Sequence, residues 1–186
     1  MSNRNSEVMI AFKNRNKTLD FYQTPVYAIE SLLKREKFKG SILDPCCGKG
    51  RISESLKKYN YKVKSFDINS KMLGYGFSKD FFTHKYKYDN IIMNPPYNIC
   101  ENFILHGLNI FKNKMAVLLR LNFLESIKRY NLFFRNNKPS IIYVFSKRLD
   151  MRSDSIKTFG GGISFAWFIW HKNKPNRDIS LKFICD

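Results

Sequence analysis

Apolar residues along this chain fall into two spacings. Short continuous runs, at Ser41 to Asp44, Ile91-Ile92-Met93, Met115 to Leu119, Ile141 to Phe145 and the aromatic stretch Ile163 to His171, read as strands covered on both faces. Between them, apolar residues recur every three or four positions and predict helices. One runs from Pro25 to about Lys37 on Val26, Ile29 and Leu33, with Thr24 as N-cap and Gly40 ending the segment. Others run from Arg51 to Tyr59 on Ile52, Leu56 and Tyr59, from Ile99 to Phe111 on Phe103, Ile104, Leu108 and Phe111, and from Phe123 to Phe134 on Phe123, Ile127, Tyr130 and Phe134. Lys62 to Asp67 adds a strand, Tyr75 to Phe77 a short one, and the alternating tail from Asp178 an edge strand. Strand and helix in alternation predict an α/β fold with a parallel sheet, whose ligands sit beyond the C-terminal strand ends.

The run Ile91-Ile92-Met93 stops at Asn94-Pro95-Pro96-Tyr97. Neither proline can continue a ladder, and each fixes its own φ while pushing the preceding residue toward extended geometry. A stiff loop therefore leaves the strand end. It offers the Asn94 carboxamide oxygen and the Pro95 carbonyl as acceptors and Tyr97 as a flat face, a set that suits a planar ligand with an NH2 group.

Composition changes the picture in one respect. With 33 Lys and Arg against 15 Asp and Glu, the net charge is +18, a field that attracts polyanions and points to nucleic acid. The excess follows the Asn-Pro-Pro-Tyr loop: from Asn102 to Leu149 there are nine basic residues and one acid, Glu125. Arg120 at a strand end, and Lys147, Arg148 and Arg152 in the polar, Gly-rich loop Ser146 to Gly162, are the candidate phosphate contacts. No apolar run is long enough to span a membrane and the N-terminus does not resemble a secretion signal, so a cytoplasmic protein is expected. Cys46, Cys47, Cys100 and Cys185 lack Cys-x-x-Cys spacing, which argues for reduced thiols and against a metal. Residues 1–19 read as a basic arm and 20–186 as one domain.

The first strand ends in Asp44 and runs into Pro45-Cys46-Cys47-Gly48-Lys49-Gly50, a strand, Gly-rich turn and helix. The turn alone is a weak signal, and Ser53 stands where a dinucleotide fingerprint has its third glycine. Asp67 ends the second strand and suits a ribose diol; Asp80-Phe81 follows the third. Together these acids and the ring describe a pocket for a small adenosine compound.

The series Phe21-Tyr22-Gln23-Thr24-Pro25, Asp44-Pro45-Cys46-Cys47-Gly48-Lys49-Gly50, Asp67, Asp80-Phe81 and Asn94-Pro95-Pro96-Tyr97 resembles the S-adenosylmethionine-dependent N6-adenine DNA methyltransferases, the small phage-type ones above all. The resemblance covers Tyr22 to about His171. It implies a class I, Rossmann-like methyltransferase fold with a mostly parallel seven-stranded sheet, an antiparallel last strand formed by a reversed final hairpin, and helices on both faces. It further implies that Tyr22, Gln23, Thr24, Asp44, Cys46, Gly48, Gly50, Asp67, Ile68, Asp80 and Phe81 hold S-adenosylmethionine, and that Asn94, Pro95, Pro96 and Tyr97 hold the target adenine. Restriction-type relatives carry a separate target-recognition region, for which this chain has no residues to spare, so short or loose sequence specificity is expected. RNA adenine, a protein glutamine amide and non-catalytic nucleic-acid binding are the alternatives. The oligomeric state is open.

Overall fold

The computed structural model describes residues 22–151, 163–173 and 178–185. The basic arm, Arg152 and the three glycines at 160–162 lie outside the described residues. The elements in chain order are α1 (Val26–Arg35), β1 (Ile42–Asp44), α2 (Arg51–Lys58), β2 (Val63–Asp67), α3 (Ser70–Leu73), β3 (Phe77–Ser78), β4 (Tyr88–Met93), α4 (Cys100–Ile110), β5 (Phe111–Arg120), β6 (Ile141–Phe145), β7 (Phe165–His171) and β8 (Ser180–Ile184).

The strands form one sheet in the order β3-β2-β1-β4-β5-β7-β6-β8. From β3 to β5 all pairs are parallel. β7 is antiparallel to both β5 and β6, which makes the reversed hairpin, and β8 pairs in parallel with β6. Among the described residues the sheet thus has one strand more than the seven expected, because the tail adds an edge beyond β6; the reversed strand β7 lies inside the sheet, between β5 and β6.

The continuous apolar runs are explained by cover on both faces. In β5, Met115, Val117 and Leu119 join Phe103 and Ile104 of α4 on one side, while Ala116 and Leu118 join Ile29 and Leu32 of α1 and Ile52 and Leu56 of α2 on the other. Buried indoles keep their polar handles: Trp167 Nε1 donates to the Ala28 carbonyl at 2.9 Å and Trp170 Nε1 to that of Asn137 at 2.7 Å.

Three local expectations are corrected. Thr24 does not cap α1; Pro25 is the N-cap residue and no side-chain cap bond is made. Tyr59 is exposed rather than packed, since α2 ends at Lys58. The helix expected over Phe123 to Phe134 is broken. A 3-10 turn at Leu121–Leu124 is followed by Ser126 at φ 108°, a helical turn at Ile127–Arg129 and a π-helical turn at Tyr130–Phe134. The break turns Phe123 and Phe133 inward and leaves Ile127 and Tyr130 outside, 82% and 55% exposed.

Candidate active site

Strand order reverses between β1 and β4, with β2 and β3 on one side and β5 on the other. Loops leaving adjacent parallel strands diverge there and open a crevice at the C-terminal strand ends. Asp44 closes β1 and Asn94 follows β4, so both sequence motifs arrive at that crevice. The two loops touch: the Cys46 thiol lies 3.5 Å from the Asn94 carbonyl oxygen.

Asp44 is completely buried. Its Oδ2 accepts the Ser53 hydroxyl at 2.7 Å, and the Ser65 hydroxyl lies 2.7 Å from Ser53 in turn. Its Oδ1 is buried with no hydrogen-bond partner. Burial, reinforced by the charge of Asp67, pushes the carboxyl up to about 7. An acceptor held dry without a donor is costly, and it is offset when a ligand brings an ammonium group. Ser53, in the place of a third glycine, is therefore a brace for this carboxylate.

The turn after Asp44 is shaped by its neighbours. Asp67 Oδ2 accepts the Gly48 N–H at 2.9 Å and Oδ1 accepts the Asn69 N–H at 2.8 Å, which leaves each oxygen further acceptor capacity. Gly50 caps α2 at φ 85°, and a Cβ there would stand 2.6 Å from the Tyr75 ring. Ile68 beside Asp67 is 55% exposed. Burial raises the thiols, Cys46 far up and Cys47 to about 12, so neither is a thiolate near neutral pH.

Of the pair Asp80 and Phe81, Phe81 is turned away from the crevice, while Asp80 keeps acceptor capacity beyond one backbone bond. Asp80 Oδ1 accepts the Phe82 N–H at 2.9 Å and caps the 3-10 turn Phe81–Thr83. Phe81 is buried, stacked on Phe103 at 5.2 Å with His106 edge-on at 4.7 Å. Its ring belongs to the core under α4 and is not presented to the crevice. Ile68 is the exposed apolar side chain at the end of β2.

Asn94 is anchored at both ends of its amide. Nδ2 donates to the Tyr22 carbonyl and to Thr24 Oγ1, both at 3.0 Å, and Oδ1 accepts the Tyr97 hydroxyl at 2.9 Å. Two acceptors on the nitrogen side fix which way the amide points. The Tyr-Gln-Thr-Pro segment, assigned by resemblance to a cofactor, thus orients the carboxamide; Gln23 between them is half-buried, as is Pro96, while Pro95 is buried. Tyr97 stands against Tyr22 at 5.5 Å and Phe165 at 5.8 Å, with the Arg120 guanidinium 4.6 Å from its ring centre. Arg120 Nε is buried without a hydrogen-bond partner. Beside this group lies a pocket lined by Tyr97, Cys100, Arg120, Asn122, Phe123 and Arg129. The expected helix places Arg129 on a solvent face, away from any site, and Asn122 has no expected role, although its position just past the C-terminal end of β5 is a signal.

Other cations after the Asn-Pro-Pro-Tyr loop lie at both ends of the strands. β7 runs against both β5 and β6, so the C-terminal end of β6 shares the edge of Asn94 and Arg120. Lys147 and Arg148 are exposed there, on a loop held by buried Leu149 and Met151. Lys112 and Lys114 sit at the opposite edge and pair with Asp89 and Glu36. Lys128 and Arg129 bind Glu101 at 2.6 and 3.0 Å. No cluster of metal-ligating side chains occurs among the described residues, and none of their helices is long and apolar enough to cross a membrane.

Neither a protein-family model nor a curated protein sequence matches the chain. Solved structures do. A candidate class I S-adenosylmethionine-dependent methyltransferase from Listeria monocytogenes superposes with TM-score 0.59 and 13% identity over 98% of this chain and 71% of its own. A candidate RNA methyltransferase from Pyrococcus horikoshii gives 0.60 and 16% over 91% and 99%. The M protein of the type I restriction enzyme EcoKI gives 0.58 and 14% over 89% and 47%, so the chain spans about half the length of that subunit. The fold of this chain is the class I, Rossmann-like methyltransferase fold.

Proposed function

We propose that this protein transfers a methyl group from S-adenosylmethionine to the N6 amino group of adenine in DNA. The observation that carries this reading is the meeting of two loops at the switch point: an Asn-Pro-Pro-Tyr loop with its carboxamide oriented, against a β1 turn holding a buried carboxylate oxygen without a donor. Asp44 Oδ1 fits the amino group of the cofactor's methionine portion, Asp67 fits the ribose, and Ile68 lies beside it for the adenine. S-adenosylmethionine, when bound, supplies an electrophilic sulfonium methyl.

The chain's own residues do the rest. An adenine amino nitrogen is a poor nucleophile because its lone pair is shared with the ring. Asn94 Oδ1 has a second lone pair besides the one met by Tyr97, and the Pro95 carbonyl belongs to the same stiff loop. Accepting both N–H hydrogens draws the nitrogen toward tetrahedral geometry and returns its lone pair; on transfer the methyl–sulfur bond would break as the N–C bond forms, and one of the two amino protons would leave to solvent. Placement in line is then the main contribution, worth about 7 to 11 kcal/mol where orientation is good. Tyr97 supports the base by stacking once Arg120 yields that side of the ring; the base reaches it by flipping from a duplex or from a single strand.

RNA adenine is the second reading, favoured by the full-length likeness to the Pyrococcus protein. Labelled S-adenosylmethionine offered with duplex DNA, single-stranded DNA, RNA and protein fractions separates the readings. Label in DNA adenine is expected; label confined to RNA or to protein contradicts the proposal.

A further inference from the structure

The broken segment after β5 has a feature that methyl transfer itself does not use. Ser126 holds φ 108°, a conformation an L-residue adopts only when its surroundings impose it. Immediately after it stands Ile127, 82% exposed, with Leu124 at 40% and Tyr130 at 55% on either side. Single exposed apolar residues are ordinary on protein surfaces, whereas three on one knuckle, beside an enforced backbone turn and a π-helical turn, are a built protrusion. The knuckle is also held in place. Lys128 and Arg129, next in sequence, bind Glu101 in the first turn of α4, the helix that follows the Asn-Pro-Pro-Tyr loop.

Its position is set by the pocket. Phe123 before the knuckle and Arg129 after it both line the cavity beside Tyr97, so residues 124–128 form the rim next to the proposed base site. Cations stand here together with two acids: Lys128 is 70% exposed despite its pairing with Glu101, Arg120 lines the same pocket, and Glu125 is exposed on the knuckle itself. An apolar tip with Lys128 beside it, at the rim of a pocket lined by Tyr97 and Arg120, matches how proteins enter a duplex at an unstacked step. Turning a base out of a duplex leaves a gap that needs filling, and nothing else described at this rim is both apolar and protruding.

We propose that Ile127, supported by Leu124 and Tyr130, is a wedge that fills the space left in a DNA duplex when the target adenine turns into the pocket. This rests on the reading given under Proposed function. Ile127 is a positioning residue, and its effect belongs to duplex substrates alone, because a single strand has no gap to fill.

The test compares wild type, Ile127→Ala and Ile127→Leu on an unmethylated double-stranded fragment and on a single strand of the same sequence, with labelled S-adenosylmethionine. The wedge predicts that Ile127→Ala lowers kcat/KM on the duplex by about tenfold or more. It leaves the single-strand rate within about twofold, and Ile127→Leu restores the duplex rate. Equal losses on both substrates, no loss on either, or a wild-type enzyme confined to single strands overturns the wedge while methyl transfer to DNA stands. A wild-type protein that labels neither substrate overturns the functional reading, and the wedge with it.

Discussion

The Tyr97 hydroxyl donates to Asn94 Oδ1 across 2.9 Å, tying the aromatic face and the carboxamide of one loop to each other. The bond uses one of the two lone pairs on the oxygen assigned to the target amino group. Tyr97→Phe removes it and keeps the ring, so kcat/KM is expected to stay within about fivefold of wild type, since one such bond contributes about 1 kcal/mol. Tyr97→Ala removes the stacking face, worth about 1 to 3 kcal/mol per base, and should lose about 10- to 100-fold. Steady-state kinetics that show equal losses would mean that the hydroxyl, not the ring, is what matters.

Thr24 tests the division of labour between the two loops. Thr24→Val deletes one of the two acceptors for Asn94 Nδ2 at nearly constant volume. A loosened carboxamide should lower kcat by about fivefold to tenfold, with cofactor affinity nearly unchanged in calorimetry. A fall in cofactor affinity with kcat preserved would return Thr24 to the cofactor.

If Asp44 meets the cofactor's ammonium group as proposed, cofactor binding should be pH-dependent. Its carboxyl is raised to about 7, so the free protein is increasingly protonated there below that pH. Pairing with an ammonium group requires the charged form, and cofactor affinity is expected to fall by about tenfold per pH unit below 7. The stability linkage has the opposite direction: a raised folded-state pKa favours the fold at low pH, and that contribution is lost as pH rises through about 7. Asp44→Asn should therefore melt higher than wild type at pH 8, by on the order of 3 °C or more, while losing cofactor binding. An affinity flat between pH 6 and 8 would remove the ion pair.

Cations on the active-site edge should set the salt dependence of DNA binding. Arg120, Lys128, Arg129, Lys147 and Arg148 share that edge, Lys128 and Arg129 bound to Glu101 with donors to spare, whereas Lys112 and Lys114 lie at the other. About five phosphate contacts give a slope of log K against log salt near −4.5. A slope flatter than about −2, measured by anisotropy titration, would make the charge a solvated surface only.

Much of this architecture was legible because the strands that carry the site are covered on both faces. Ile91-Ile92-Met93 could only be a central strand, and its termination by two prolines located Asn94 at a strand end. The same logic placed Asp44 and Asp67. What misled was periodicity without knowledge of partners. Phe123, Ile127, Tyr130 and Phe134 keep helical spacing, yet Phe123 and Phe133 are the pair buried in the core, Phe123 against Phe133 and Phe168 of β7, and the chain breaks at Ser126 between them. Thr24 has the composition of a cap, but Asn94, seventy residues away, competes for its oxygen. Phe81 has an adjacent acid and a strand end to recommend it, and only the packing of Phe103 turns it inward. Each miss is a tertiary contact overriding a local preference.

The role of Asn94 in adenine methylation is tested most directly by digesting DNA after incubation with S-adenosylmethionine and identifying the methylated nucleoside by mass spectrometry, for wild type and Asn94→Ala. Wild type is expected to yield N6-methyl-2′-deoxyadenosine, and Asn94→Ala to lose at least about 100-fold of it with cofactor affinity close to wild type. A methyl group on any other base, or an Asn94→Ala protein that still forms the N6-methylated product at the wild-type rate, would contradict that role.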